Sequence, residues 1–284
     1  MLVALLRLLG RWPLRWLHRA GALLGWVVYC ASPVYASRIR ANLIASGIFA
    51  DQQALDRAIR EVVVETGKGA AEIVKVWFDD DESVLQLVEC RDWARVEEAQ
   101  RARRGIIFLT PHLGCFEVAA LYIGRRIPIT ILYRPPRMRA LEPLMIHGRS
   151  RGQVHVAPAT LRGVRLLYKA LQRGEAVGLL PDQAPQKGEG VWAEFFGRPA
   201  YTMTLVRRLQ KQTGAAVIFT FAERLPNGRG FVLQFERYAG SEIDETALNG
   251  AVEKLIRKRP AQYLWSYNRY KVPKGVAPPA QSAQ

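Results

Sequence analysis

The chain has 284 residues, enough for one large domain or two small ones with a sizeable buried core. Hydrophobic residues make up 49%, which excludes a disordered chain; three cysteines with no CxxC pair (Cys30, Cys90, Cys115) argue against a disulfide framework and fit a reducing compartment. Lys plus Arg outnumber Asp plus Glu by 41 to 25, a formal net charge of +16, so the surface attracts nucleic acid, an anionic membrane or an acidic protein.

Arg7, Arg11, Arg15 and Arg19 recur every fourth residue. At about 100° per residue they span an arc of roughly 120° on a helix. Leu2, Leu5, Leu6, Leu9, Trp12, Trp16, Leu17, Leu23 and Leu24 fall on the opposite side, Leu8 and Leu14 break the pattern, and Pro13 kinks or divides the helix. A basic stripe opposite Trp and Leu is the composition of a helix lying in a membrane interface. The stretch Ala20 to Ala36 then runs without a charged side chain. As a helix it is about 25 Å long against roughly 30 Å of hydrocarbon, so it spans marginally, re-enters or lies in the surface. Leucines precede the arginines, the wrong order for a cleaved signal peptide. A buried amphipathic core helix is the competing reading.

Asp51 to Phe78 is patterned as a helix, with Asp51 as N-cap and Ile59, Val62, Val63 and Thr66 on its apolar face. Asp79-Asp80-Asp81 ends it as a solvated loop. From Gly105 the texture changes. Gly105–Thr110, Ile127–Tyr133, Gln153–Ala157, Ala176–Leu180 and Ala215–Ala222 read as buried strands. Val118–Gly124, Leu161–Arg173 and Thr202–Thr213 read as helices between them. The alternation predicts an α/β fold, a mixed and mostly parallel central sheet flanked by helices, behind an N-terminal membrane-associated helix. Pro226-Asn227-Gly228 is a turn leading into the strand Gly230–Tyr238, which makes an antiparallel pair at one edge. Asp244–Arg257 closes the domain as a helix. The expected units are an anchor over 1–36, a catalytic domain over 37–273 and a disordered tail over 274–284.

Thr110-Pro-His-Leu-Gly-Cys-Phe-Glu117 sits where a strand ends and a helix begins, the position at which α/β sheets bind ligands. His112 and Glu117 are five apart and would lie about 140° apart on one continuous helix. With His112 in the turn and Glu117 in the first helical turn they can converge, Gly114 giving the turn its freedom. A carboxylate behind a histidine fixes its tautomer and stabilises the imidazolium. Such a pair, without a nucleophile of its own, would deprotonate a bound hydroxyl that attacks an activated acyl group. The bland alternative is a histidine satisfied by a carbonyl and a glutamate capping its helix.

Other constellations are weaker. Gly148-Arg-Ser-Arg-Gly152 matches G-x-S-x-G, but a helix precedes it and a strand follows, the reverse of a nucleophile elbow. Cys115 fits a small buried hydrophobe better than a nucleophile. His112, Glu117, Asp182, His147 and His155 have no metal-ligand spacing, so no metal and no cofactor is expected. Tyr133-Arg134-Pro-Pro-Arg137-Met-Arg139 is either a phosphate- or protein-binding loop or a solvated charge run. Phe195 and Phe196 either line an acyl pocket or are plain core. No nucleic-acid motif accompanies the positive charge.

His112-x4-Glu117 after a hydrophobic strand resembles the signature of the lysophospholipid acyltransferase superfamily. More narrowly, the chain resembles the bacterial lipid A late (lauroyl/myristoyl) acyltransferases. The resemblance rests on Asn42-Leu43, Thr110 to Glu117, Tyr133-Arg134-Pro135, Arg149-Ser-Arg151, Gly163-Val164-Arg165, Leu180-Pro-Asp182-Gln183 and Phe195 to Ala200, over residues 1 to 270. It implies transfer of an acyl chain from an acyl carrier protein thioester to a hydroxyl of a lipid A precursor, or a related glycolipid, at the cytoplasmic face of the inner membrane. It implies that His112 is the general base and Glu117 its orienting partner, that Arg149 binds phosphate or supports the thioester carbonyl, and that Asp182 helps assemble the site. Arg134, Arg151 and Arg165 are further candidates for substrate contact. The carrier protein, the phosphorylated acceptor and the membrane leaflet are all anionic, in keeping with the basic chain. A glycerophospholipid or aminolipid acceptor, with coenzyme A or carrier-protein donor, is the alternative within the same chemistry. A non-catalytic basic protein that binds nucleic acid or membrane is the alternative outside it.

Overall fold

The computed structural model describes residues 2–136 and 138–279. Arg137 of the basic loop and residues 280–284 of the tail lie outside the described residues.

Proline 13 divides the N-terminal helix into α1 (Leu2–Gly10) and α2 (Leu14–Ala31). A second break at Ser32-Pro33 opens α3 (Pro33–Ala45), bent by 101° from α2. Among the described residues no single helix is long and apolar enough to cross a membrane. The apolar residues of α2 are divided in a way the periodicity did not anticipate. Leu14 and Leu17 are buried with His18, Gly21 and Gly25 against α4 (Gln52–Phe78). Trp16, Leu23, Leu24, Val27 and Val28 face outward, as do Trp12 and the four arginines. Leu14, which broke the stripe, is a core residue. The close docking depends on missing side chains: a Cβ on Gly67 of α4 would stand 2.1 Å from the Gly21 carbonyl oxygen.

Asp51 caps α4 as expected, its Oδ1 accepting from Ala54 N–H at 2.7 Å. The acidic run after α4 is not a solvated loop. Asp79 is buried and pairs with Lys75 at 2.6 Å, Asp80 caps the short α5 (Asp81–Leu85), and Asp81 pairs with Arg151.

The remaining elements follow in chain order: β1 (Val88–Cys90), α6 (Trp93–Arg101), β2 (Ile106–Leu109), α7 (Phe116–Gly124), β3 (Ile129–Tyr133), α8 (Glu142–Arg149), β4 (Val154–Pro158), α9 (Leu161–Gln172), β5 (Ala176–Leu179), β6 (Gly190–Phe195), β7 (Arg198–Met203), α10 (Leu205–Thr213), β8 (Ala216–Arg224), β9 (Phe231–Arg237) and α11 (Glu245–Lys258). Seven strands of the described residues make one sheet in the order β1-β9-β8-β2-β5-β3-β4, parallel except for the β8–β9 pair. The antiparallel pair lies near one edge, but β1, too short to register as a strand in sequence, covers it. The fold class is the mixed, mostly parallel α/β sheet that the alternation implied. β6 and β7 form a separate hairpin, so Thr202 and Met203 belong to a strand rather than opening α10.

Strand alternation divides the core into two layers. Ile107 and Leu109 pack with Leu167 of α9, Leu209 of α10 and Val252 of α11. Ile106 and Phe108 pack on the other face with Val96 of α6 and Val118 and Tyr122 of α7. The chain after Pro273 lies against the hairpin, Trp192 Nε1 donating to the Ala277 carbonyl at 3.0 Å.

A histidine held at the carboxyl ends of two neighbouring strands

β2 and β5 are adjacent and parallel, so the chain leaves both at the same end of the sheet. His112 lies three residues beyond β2 and Asp182 three beyond β5. The turn carrying His112 is clamped on every side by backbone bonds. Thr110 N–H donates to Leu179, Gly114 N–H to Gln262, Cys115 N–H to Ala222, and Leu264 N–H to the His112 carbonyl, at 2.9 to 3.1 Å. Gly114 adopts φ +62°, and a Cβ there would stand 2.0 Å from the Ala222 carbonyl oxygen. Glycine is required both for the left-handed conformation and for the close approach.

Asp182 takes two hydrogen bonds from the same residue: Oδ2 accepts from His112 N–H at 3.0 Å and Oδ1 meets Nδ1 at 2.9 Å. Burial opposes the charge on Asp182, but the His112 imidazole and backbone N–H hold its carboxyl below the usual range. A carboxylate accepts only, so Nδ1 carries the proton and Nε2 the lone pair. The Gln183 amide Nε2 stands 3.1 Å from that lone pair. This corrects the expectation that Glu117 orients His112. The reason is topological: β5 inserts beside β2 and brings Asp182 to the imidazole first.

Glu117, in the first turn of α7, is buried and faces a different partner. Its Oε2 accepts from Arg149 Nε and from Trp77 Nε1, each at 3.0 Å, and its Oε1 pairs with Arg149 Nη2. Burial alone would weaken the Arg149 charge; the Glu117 carboxylate reverses that and raises the guanidinium pKa. Trp77 closes over the pair, with the Arg149 guanidinium 5.5 Å from its ring centroid. Gly148 makes this possible, since a Cβ there would meet Trp77 Cγ at 2.4 Å.

Behind the ion pair lies a narrow, largely apolar cleft between α7 and the sheet, a cavity of about 40 Å³. Phe116, Ala120 and Ile123 of α7 face Ile129 and Ile131 of β3 and Gly178 of β5 across it, with Glu117 and Arg149 in its polar wall. Phe116 also packs on His112, ring centroids 5.0 Å apart, so the histidine and the cleft share a wall.

The other candidates fall elsewhere. Phe195 and Phe196 do not line the cleft; they are buried against Tyr270 and Trp265 in the core on the opposite layer. Their aromatic surface packs beneath the β6–β7 hairpin. Arg151 reaches back to the Val76 and Asp79 carbonyls and to Asp81, satisfying the end of α4 instead of facing the cleft. Arg134 is exposed just beyond β3, and Arg165 is exposed on α9. Cys115 is buried and its thiol is pushed well up by burial, with Glu72 adding to the effect, which leaves no thiolate for catalysis. Ser150 ends α8 with β4 following, the reverse of an elbow. Among the described residues no cluster of three His, Cys, Asp or Glu side chains could hold a metal ion. Sequence reasoning assigned no role to Trp77 or Gln183. The position of Gln183 beside Asp182 at a strand end was the only signal for it, and Trp77 had none.

The sequence model of the bacterial lipid A biosynthesis acyltransferases matches residues 1–272. The chain belongs to this family. It is 27% identical over 229 residues to a lipid A biosynthesis lauroyltransferase of Escherichia coli K12, covering 76% of this chain and 74% of that one. It is also 27% identical over 246 residues to the palmitoleoyltransferase of the same organism, covering 84% and 74%. A lipid A biosynthesis acyltransferase of Haemophilus influenzae is 24% identical over 179 residues, covering 60% and 55%. Family membership makes the protein an O-acyltransferase of lipid A biosynthesis.

Proposed function

We propose that the enzyme moves a fatty acyl chain from an acyl carrier protein thioester to a hydroxyl of a lipid A precursor at the cytoplasmic face of the inner membrane. The observation that carries this reading is the state of His112: Asp182 takes Nδ1–H, which leaves the Nε2 lone pair as a base beside a narrow apolar cleft. Nε2 accepts the hydroxyl proton as the acceptor oxygen attacks the thioester carbonyl carbon. The carbon–sulfur bond then breaks, and the imidazolium returns the proton to the leaving thiolate. The acceptor hydroxyl displaces the Gln183 amide from Nε2. Arg149, fixed by Glu117, faces the carbonyl oxygen as negative charge develops on it. The outward Trp16, Leu23, Leu24, Val27 and Val28 among exposed arginines suit a helix resting in an anionic leaflet.

The test is acyl transfer in detergent-solubilised membranes, with labelled acyl carrier protein as donor and a tetra-acylated lipid A precursor as acceptor. His112→Ala should lose about 10²–10⁴-fold with its membrane yield intact. An active wild type with an unaffected variant overturns the mechanism. Transfer to a glycerophospholipid but not to the lipid A precursor overturns the acceptor.

A further inference from the structure

We propose that the exposed face of α9, together with the loop between β3 and α8, is the docking surface for the acidic donor protein. The inference rests on the carrier-protein reading above. β3 and β4 pair in parallel with Tyr133 opposite Pro158, and Ala159 N–H donates to the Tyr133 carbonyl at 2.7 Å. The two chains therefore leave the sheet side by side, at the same end as His112 and Asp182. Three strand spacings from β2 to β4, about 14 Å in all, separate this surface from the base.

Arg162, Arg165 and Lys169 stand at helical spacings of three and four on the outward side of α9, while Gly163, Leu167 and Ala170 are buried beneath. Leu161 at the head of that face is 80% exposed, and Met138 in the loop after β3 is 67% exposed. Arg134 at the start of that loop is exposed too. From Arg134 to Lys169 the sequence holds a single acidic residue, Glu142, which pairs with Arg139 on the loop itself. Basic residues around isolated large apolar side chains suit an acidic helix that carries one or two apolar contacts. A membrane would be better served by the broader outward face of α2, so the two surfaces divide the two anionic partners between them.

The experiment compares wild type with Arg162→Glu/Lys169→Glu, both positions exposed, using acyl carrier protein and acyl coenzyme A as alternative donors. Expected is a rise of about tenfold or more in KM for the carrier-protein donor, with kcat at saturation within about twofold. The KM for the coenzyme A thioester should stay unchanged, and the wild-type KM for the carrier should climb with salt while the variant's does not. Unchanged KM for the carrier donor in the variant overturns the docking surface and leaves the donor reading intact. Wild type that uses only coenzyme A overturns the donor reading and this inference with it. Loss of sedimentation with anionic vesicles at unchanged KM makes the face a membrane contact and overturns the proposal.

Discussion

Asp182 binds both the backbone N–H and the Nδ1–H of His112, seventy residues away in sequence. One carboxylate thus fixes where the imidazole sits and which of its nitrogens keeps the lone pair. Asp182→Asn keeps the size but can present its amide to Nδ1, moving the ring proton to Nε2 and removing the lone pair. Initial rates should fall about 10²–10⁴-fold, with KM for either substrate little changed. A variant within tenfold of wild type would mean that the tautomer is set by something else.

Glu117 and Arg149 are mutually dependent buried charges. Glu117→Ala should cost about 3–5 kcal/mol in urea unfolding, because it strands the guanidinium beneath Trp77. Adding Arg149→Met removes the stranded charge and should recover much of that loss. If the double variant regains stability without regaining turnover, the pair contributes to the chemistry; recovery of both would reduce it to a structural bridge.

On the proposed reading the acyl chain enters at the cleft between α7 and β3, and what stands across it limits chain length. Ala120→Phe fills space opposite Ile129 and Gly178. In a series of saturated carrier-protein donors, kcat/KM should drop most for the longest chains and shift the optimum to shorter ones. At about 0.8 kcal/mol per excluded methylene, each lost contact is worth roughly fourfold. An even loss across the series would show that the acyl chain lies elsewhere.

Acid should unfold the protein through two buried carboxylates. Burial opposes ionisation of Glu72, but the Arg224 guanidinium and His18 beside it hold its pKa below the ordinary value; Asp182 is held low by His112. Both therefore contribute stability that is present above the pKa of an unfolded carboxylate and is lost as pH falls through the lower, folded-state value. The melting temperature should be flat near neutrality and fall steeply from the ordinary carboxylate range downward. Asp182→Asn should flatten part of that fall; an identical acid limb in the variant would remove Asp182 from the account.

The strands of the parallel sheet were legible because residues buried on both faces read as unbroken apolar runs, as in Ile106–Leu109 and Ala176–Leu179. The helix α4 was legible because Asp51 caps it and its apolar face repeats. β1 was not: three residues, one of them Glu89, carry no period. The hairpin β6–β7 was hidden because Thr202 and Met203 flow into a strongly amphipathic helix without a break. At the site, local sequence named His112 and Glu117 but paired them with each other, since spacing reports only neighbours along the chain. Asp182 reaches His112 through strand order, and Trp77 reaches Glu117 through helix packing, neither of which is written in a local pattern. The arginine stripe was read as one face of a membrane helix, whereas Leu14, Leu17, Gly21 and Gly25 of α2 are buried against α4, with Gly21 and Gly25 meeting Gly67.

β5 enters the sheet between β2 and β3, two strands made before it. During synthesis the histidine is therefore made long before the aspartate that holds it. Its carbonyl is tied down later still, when Leu264 arrives from near the end of the chain. A nascent chain therefore holds His112 without the contacts to Asp182 and Leu264 that fix it in the folded protein, so the site is assembled only when the last of these segments docks. The order of strands makes the site one of the last parts of the fold to be completed.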